Sequence, residues 1–200
     1  MEAFEKKIQA QGFRVIAGLD EAGRGPLAGP VVAAAVVLTP MKKWIGVDDS
    51  KKLSPEQREK VFSLLLQQEV AIGIGIVDAR EIDRLNILRA SLKAMEQAVQ
   101  NLPLSPDFLL IDGLHSLTLP LAQRAIPKGD QRCQSIAAAS IIAKVTRDRL
   151  MLAHHAEYPQ YNFAKHKGYG TKEHLQAIRQ YGHCPLHRQS FKPIYQLSFL

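Results

Sequence analysis

Cysteine is nearly absent from this 200-residue chain: Cys133 and Cys184 are the only two, far apart and in no CxxC pair. That excludes a disulfide framework and a cysteine-based zinc site, and it fits a reducing cytoplasm. Long apolar runs are missing as well. The longest, Pro26 to Leu38, is too short to cross a bilayer, is flanked by glycine and proline, and reads as a buried strand. The opening MEAFEKKIQAQGF is charged and lacks the apolar centre of a secretion signal. Acids are scarce in the last part of the chain. Residues 121–200 hold 12 Lys/Arg against 4 Asp/Glu, net +8, whereas residues 1–120 hold 14 against 15, net −1. A positive half points to a polyanionic partner such as nucleic acid; a basic surface serving solubility alone is the other reading.

What is present is enough apolar residue, 46% of the chain, to bury a real core in one domain. Phe13–Leu19 and Val31–Leu38 read as strands joined by the glycine-rich segment Asp20–Pro30. A connection this short suits an antiparallel pair. Ser54-Pro55-Glu56-Gln57 announces a helix running to about Gln68, with Ser as N-cap, Pro in the first turn and Gln closing a capping box. Val70–Val77 reads as a strand, Asp78–Asn101 as helical, Phe108–Ile111 and Leu121–Ile126 as strands, and Ser135–Glu157 as a long alanine-rich helix. A last helix, Thr171–Tyr181, is capped by Thr171 and stopped by Gly182. The fold class is α/β with a mixed sheet: a main domain over 1–155 and a small helical C-terminal part over 156–200.

Four carboxylates sit where a bland fold would not readily put them. Asp20 and Glu21 end an apolar strand just before Gly23-Arg24-Gly25. Neighbouring strand residues face opposite ways, so both acids serve one site only if the strand ends there. Asp112 ends the run Phe108–Ile111, and Asp130 follows Lys128-Gly129 ahead of the long helix. Taken singly, Asp112-Gly113 and Gly129-Asp130 also read as ordinary turns. Taken together, converging carboxylates repel unless cations lie among them, and oxygen donors favour hard ions such as Mg²⁺ or Mn²⁺. Gly23, Gly25 and Gly29 come near a dinucleotide fingerprint, but that motif needs a helix next and the β-rich run Val31–Leu38 follows instead.

The segment Asp20-Glu21-Ala22-Gly23-Arg24-Gly25-Pro26-Leu27-Ala28-Gly29 resembles the opening signature of the type 2 ribonuclease H family, bacterial ribonuclease HII. Further blocks resemble the family's in the same order. They are Asp49-Ser50-Lys51-Lys52-Leu53, then Ile82-Asp83 with Leu85-Asn86-Ile87, then Ile111-Asp112-Gly113 and Lys128-Gly129-Asp130. The run from Ala138 to Asp148 and the block His166-Lys167-Gly168-Tyr169-Gly170-Thr171 complete the series, which covers roughly residues 14 to 191. Each block alone is weak; the ordered set is specific.

The resemblance implies a ribonuclease H-like mixed sheet flanked by helices, with Asp20, Glu21, Asp112 and Asp130 as catalytic, metal-holding acids. It implies two Mg²⁺ or Mn²⁺ ions astride the scissile phosphate, and a cut on the 5′ side of a ribonucleotide that leaves a 3′-hydroxyl and a 5′-phosphate. The expected partners are RNA–DNA hybrids and duplex DNA containing ribonucleotides. Gly23, Arg24 and Gly25 are expected to read the 2′-hydroxyl, the group that separates RNA from DNA, and Tyr169 to pack on the next sugar. Lys51, Lys52, Lys144, Arg147, His166 and Lys167 are candidate phosphate contacts. Asp148 is expected to pair with a nearby arginine, and His115 to face solvent from a loop. The end of the chain, Gln196-Leu197-Ser198-Phe199-Leu200, resembles peptides that dock on the DNA sliding clamp; folding back onto the domain is the alternative. Two other functions stay open from sequence alone. One is a different two-metal nuclease or phosphatase, told apart by its substrate. The other is a non-catalytic nucleic-acid binder, told apart by absence of metal-dependent cleavage.

Overall fold

The computed structural model describes residues 3–38, 53–68 and 70–197. Helix α1 (Ala3–Gln9) precedes β1 (Ile16–Ala22) and β2 (Val31–Val37). Then come α2 (Pro55–Gln67), β3 (Ala71–Val77), α3 (Ala79–Leu85), α4 (Ile87–Gln100), β4 (Phe108–Asp112) and β5 (Ala122–Ile126). A 3₁₀ turn, Gly129–Gln131, leads into the long α5 (Gln134–Glu157); a second, Pro159–Tyr161, precedes α6 (Phe163–His166), α7 (Lys172–Tyr181) and α8 (Ile194–Leu197). No helix among the described residues is long and apolar enough to cross a membrane.

The five strands form one mixed sheet in the order β3-β2-β1-β4-β5. The pairs β1–β2 and β2–β3 are antiparallel, and β1–β4 and β4–β5 parallel. Side chains of β2 are buried along nearly its whole length, hence its unbroken run of Val and Ala rather than an alternation. Helix α4 covers one face, burying Ala90, Ala94, Met95 and Ala98 against Leu19, Ala33 and Ile111. Helices α2 and α5 cover the other, where Phe62, Leu65, Ala138 and Ile142 meet Ala34 and Val36. Glycines let the layers approach to backbone contact: a Cβ at Gly75 would lie 1.9 Å from the Ala94 carbonyl, and one at Gly18 would lie 2.2 Å from the Ser135 backbone. A separate apolar cluster joins Tyr161, Phe163, Ile178 and Cys184 to Leu27, Ala28 and Met151, tying the C-terminal residues to the loop after β1.

Two departures from the sequence reading have a local reason. Strand β1 begins at Ile16 rather than Phe13, because the Asp107 carboxylate takes the N–H groups of Arg14 and Val15 at 2.8 and 3.0 Å. Phe13 itself packs edge-on to Phe108, with ring centroids 4.8 Å apart. The helical stretch 78–101 is broken at Asn86, whose φ of 70° lies in the left-handed region. Its side chain then caps α4 by accepting from Arg89 N–H at 3.1 Å.

Candidate active site

The ladder between β1 and β4 runs from Ile16–Phe108 to Leu19–Ile111 and stops, whereas β1 stays paired with β2 as far as Ala22–Val32. Asp20 and Glu21 therefore lie on a strand that continues on one side and has lost its neighbour on the other. The strand does not end at the acids, as the alternation argument required; its pairing with β4 does. A crevice opens there, at the carboxyl ends of the parallel strands. Asp112 is the last residue of β4. Asp20, Glu21 and Asp112 line one groove, together with Gly23, Arg24, Gly25, Arg58, Ser140, Lys144, Arg147 and Tyr169.

The electrostatics of the acids follow from this crowding. The Asp20 carboxyl is held well above its ordinary range, first by burial, then by Glu21 and Asp112. Ser140, nearly two turns into α5, opposes this by hydrogen bonding to it. Glu21 is raised mainly by burial, with Arg24 pulling the other way through an ion pair at 3.2 Å. Asp112 Oδ1 accepts from Gly129 N–H at 2.6 Å. Asp130 is buried in the adjoining 3₁₀ turn, beside Asp112's partner and not on the groove wall. Among the described residues no group of three or more His, Cys, Asp or Glu side chains forms a ready metal cage. The donor set nevertheless suits a hard cation: carboxylates that raise one another's proton affinity, with neither sulfur nor imidazole on the groove wall.

The loop after β1 is built by two buried arginines. Arg147, expected on a phosphate, instead donates Nε to Pro30 O (2.9 Å), Nη1 to Lys167 O (3.1 Å) and Nη2 to Ala28 O (3.1 Å). It borders the groove, but at 1% exposure and with all three guanidinium nitrogens on carbonyls it serves there to tie these segments together. Arg188, which the sequence reading passed over, donates to the carbonyls of Gly23 (2.6 Å), Arg24 (3.1 Å) and Gly29 (2.8 and 3.0 Å). No local signal marks either arginine, since all but one of the carbonyls they hold lie more than a hundred residues away. Ser140 and Arg58 were also missed as groove residues.

His166 is a second correction to the phosphate set. Its ring is buried, with Nε2 donating to Tyr161 O at 2.6 Å and Nδ1 accepting from Gly168 N–H at 3.2 Å. Lys167 donates Nζ to Ala164 O and does not line the groove. Lys144 does line it, its Nζ 2.8 Å from Asp148, so Asp148 pairs with a lysine rather than an arginine. Arg24 is half exposed at the rim, and Tyr169 is 44% exposed beside Gly25. His115 is exposed on the loop after Asp112. Lys51 and Lys52 lie outside the described residues.

Comparison with known proteins gives the chain its relatives. A sequence profile of the family described as ribonuclease HII matches residues 17–194. A ribonuclease HII of Syntrophus aciditrophicus is 55% identical over 96% of this chain and 91% of that protein. One from Bacillus licheniformis is 55% identical over 97% of this chain and 76% of its own length. Among solved structures, the ribonuclease H2 of Pyrococcus horikoshii OT3 superposes with a TM-score of 0.80 at 28% identity, covering 93% of this chain and 98% of that one. The chain belongs to the ribonuclease HII family of endoribonucleases, which hydrolyse RNA in RNA–DNA hybrids.

Proposed function

We propose that this enzyme cuts on the 5′ side of a ribonucleotide, including a single one embedded in duplex DNA, and leaves a 3′-hydroxyl and a 5′-phosphate. The observation that carries this reading is one groove in which carboxylates, an exposed backbone loop and an exposed tyrosine meet. Gly25 lacks a side chain, and a Cβ there would approach only Tyr169, at 3.7 Å. A ribose can thus rest on the loop backbone with its 2′-hydroxyl toward peptide groups, while Tyr169 packs on the following sugar. Arg24, Arg58 and Lys144 supply positive charge for the flanking phosphates.

The family depends on divalent metal; for this chain Mg²⁺ or Mn²⁺ fits the carboxylates, and Asp20, Glu21, Asp112 and Asp130 are the residues that would hold it. When bound, such ions supply activation of the attacking water and stabilisation of the departing 3′ oxygen. Thiol nucleophiles have no part, since both cysteines are buried and Cys133 is pushed up to about 12 by burial. In this reading residues 1–155 carry the chemistry in the cytoplasm and 156–200 complete the groove. Docking of the tail on a sliding clamp belongs to the same proposal; Gln196 and Leu197 end α8, and Ser198–Leu200 lie outside the described residues.

The test is cleavage of DNA duplexes carrying one or several ribonucleotides, in Mg²⁺ and in Mn²⁺, with the cut mapped. Metal-dependent cutting 5′ of the single ribonucleotide is expected. Equal cutting of ribose-free DNA would favour a general nuclease, and binding without any metal-dependent cut would favour a non-catalytic binder.

A further inference from the structure

Tyr169 is held through its backbone. Its N–H donates to His166 O at 2.9 Å, and its carbonyl accepts from Thr171 N–H at 2.8 Å and from His174 Nδ1 at 2.9 Å. The last contact fixes a proton. A carbonyl cannot donate, so Nδ1 of His174 carries the hydrogen. A neutral His174 then has a bare Nε2, which stands 3.1 Å from Nε2 of His187, so His187 must donate. A neutral His187 therefore has a bare Nδ1, and that atom accepts from Cys184 N–H at 2.9 Å. The 3.3 Å approach of the Cys184 carbonyl to the same nitrogen is then no hydrogen bond. Starting from one carbonyl, the whole chain of donors has a single consistent direction.

We infer that His187 and His174 form a directional relay that positions Tyr169 for reading the junction, while the next residue, Arg188, holds the facing loop, so that both walls of the groove are keyed to the dipeptide His187–Arg188. The inference rests on the role proposed for Tyr169. Both rings are buried, His174 at 0% and His187 at 2% exposure, among Tyr161, Phe163 and the stacked ring of His166 4.4 Å away. Burial keeps them neutral, as the relay requires, pushing each down to about 4. The dipeptide is itself anchored. Arg188 N–H donates to Leu27 O and Gly29 N–H to Leu186 O, and His187 bridges to Ala28. Just beyond, the Asp83 carboxylate takes the N–H groups of Gln189 and Ser190, each at 2.9 Å. These bonds leave His187 no freedom to follow a displaced Tyr169; the tyrosine follows the histidine.

The test compares wild type, Tyr169→Ala, His174→Phe and His174→Asn on a duplex with one embedded ribonucleotide and on a long hybrid. His174→Phe keeps a ring against His166 and Phe163 and removes both nitrogens. It should lower the single-ribonucleotide to hybrid ratio about tenfold, in the same direction as Tyr169→Ala. His174→Asn restores a donor where Nδ1 stood and should recover most of the ratio. A wild-type ratio in His174→Phe alongside a lowered one in Tyr169→Ala would overturn the relay and leave the proposed function standing. An unchanged ratio in Tyr169→Ala would overturn the junction reading and this inference with it. Independently of folding in any variant, ¹⁵N-histidine spectra of the wild type must show the Nδ1–H form of His174 and the Nε2–H form of His187; the opposite forms would overturn the relay alone.

Discussion

Gly23 and Gly25 flank Arg24 and are glycine for different reasons. A Cβ at Gly23 would lie 2.1 Å from Arg147 Nε and 2.7 Å from Pro30 O, on a backbone with φ of 101°. Its missing side chain makes room for the arginine that ties the loop together. Gly25 meets only Tyr169, at ordinary contact distance, and so keeps its openness for the substrate. Gly23→Ala should therefore cost about 3 kcal/mol of stability, from strain and overpacking together. Gly25→Ala should leave the urea midpoint nearly unchanged and lower kcat/KM on ribonucleotide substrates by more than tenfold. Equal stability loss in both variants would refute the distinction. Asp20→Asn belongs to the same scale. It removes a buried carboxylate from a crowded groove, while phosphate affinity is spread over many basic residues. Cleavage should be lost with substrate binding kept within a few-fold, and Mn²⁺ should raise the Tm of the wild type more than that of the variant.

Among the elements, α5 depends on a cap from far away. Its N-cap residue, Cys133, makes no side-chain cap hydrogen bond; Glu5 of α1 instead accepts from the Ser135 N–H and Oγ, both at 3.0 Å. Because α5 carries Ser140 and Lys144 to the groove, α1 supports the site without touching it. Glu5→Ala should lower stability by about 1 kcal/mol, as loss of a helix cap does, with the cleavage rate per folded molecule unchanged. Urea denaturation beside single-turnover kinetics checks both halves. What was legible in the sequence follows the same division between near and far. The capping box at Ser54 and the cap at Thr171 stand as read, because their donors and acceptors lie within one helical turn. The antiparallel β1–β2 pair also stands as read, since a short glycine-rich connection permits little else. Helix α1 was not foreseen: its place depends on Ser135, 130 residues on. The roles of Arg147 and Arg188 were hidden for a similar reason. A basic residue in a motif looks the same whether it faces phosphate or a distant carbonyl, and only the fold tells them apart.

For the molecule as a whole, the positive charge of residues 121–200 must be discounted before it is read as affinity for nucleic acid. Two of its 12 basic residues, Arg147 and Arg188, are buried and committed to carbonyls, and Lys144 and Lys165 face Asp148 and Glu173. The C-terminal part also confers a pH limit on the whole fold. His174 and His187 are buried neutral, with Tyr161, Cys184, His166 and the nearby His183 as their titratable neighbours. Tyr161 and Cys184 titrate above their usual range and stay uncharged in acid. Because the two folded values lie below the unfolded one near 6.5, their contribution is complete above that pH. It falls away as pH drops toward 4, by on the order of 3 kcal/mol per ring at most. Thermal unfolding followed between pH 7.5 and 4 should show a loss of Tm that is smaller in His174→Phe.

The reach of Arg188 also fixes an order of assembly. The carbonyls it holds, at Gly23, Arg24 and Gly29, belong to residues made 159 to 165 positions earlier. During synthesis the sheet and its covering helices have all their partners before the groove's loop has its clamp. A growing chain halted between residues 130 and 188 would thus carry every carboxylate of the site and still lack a shaped surface for ribose. The capacity to cut would arrive last, after the scaffold is already in place.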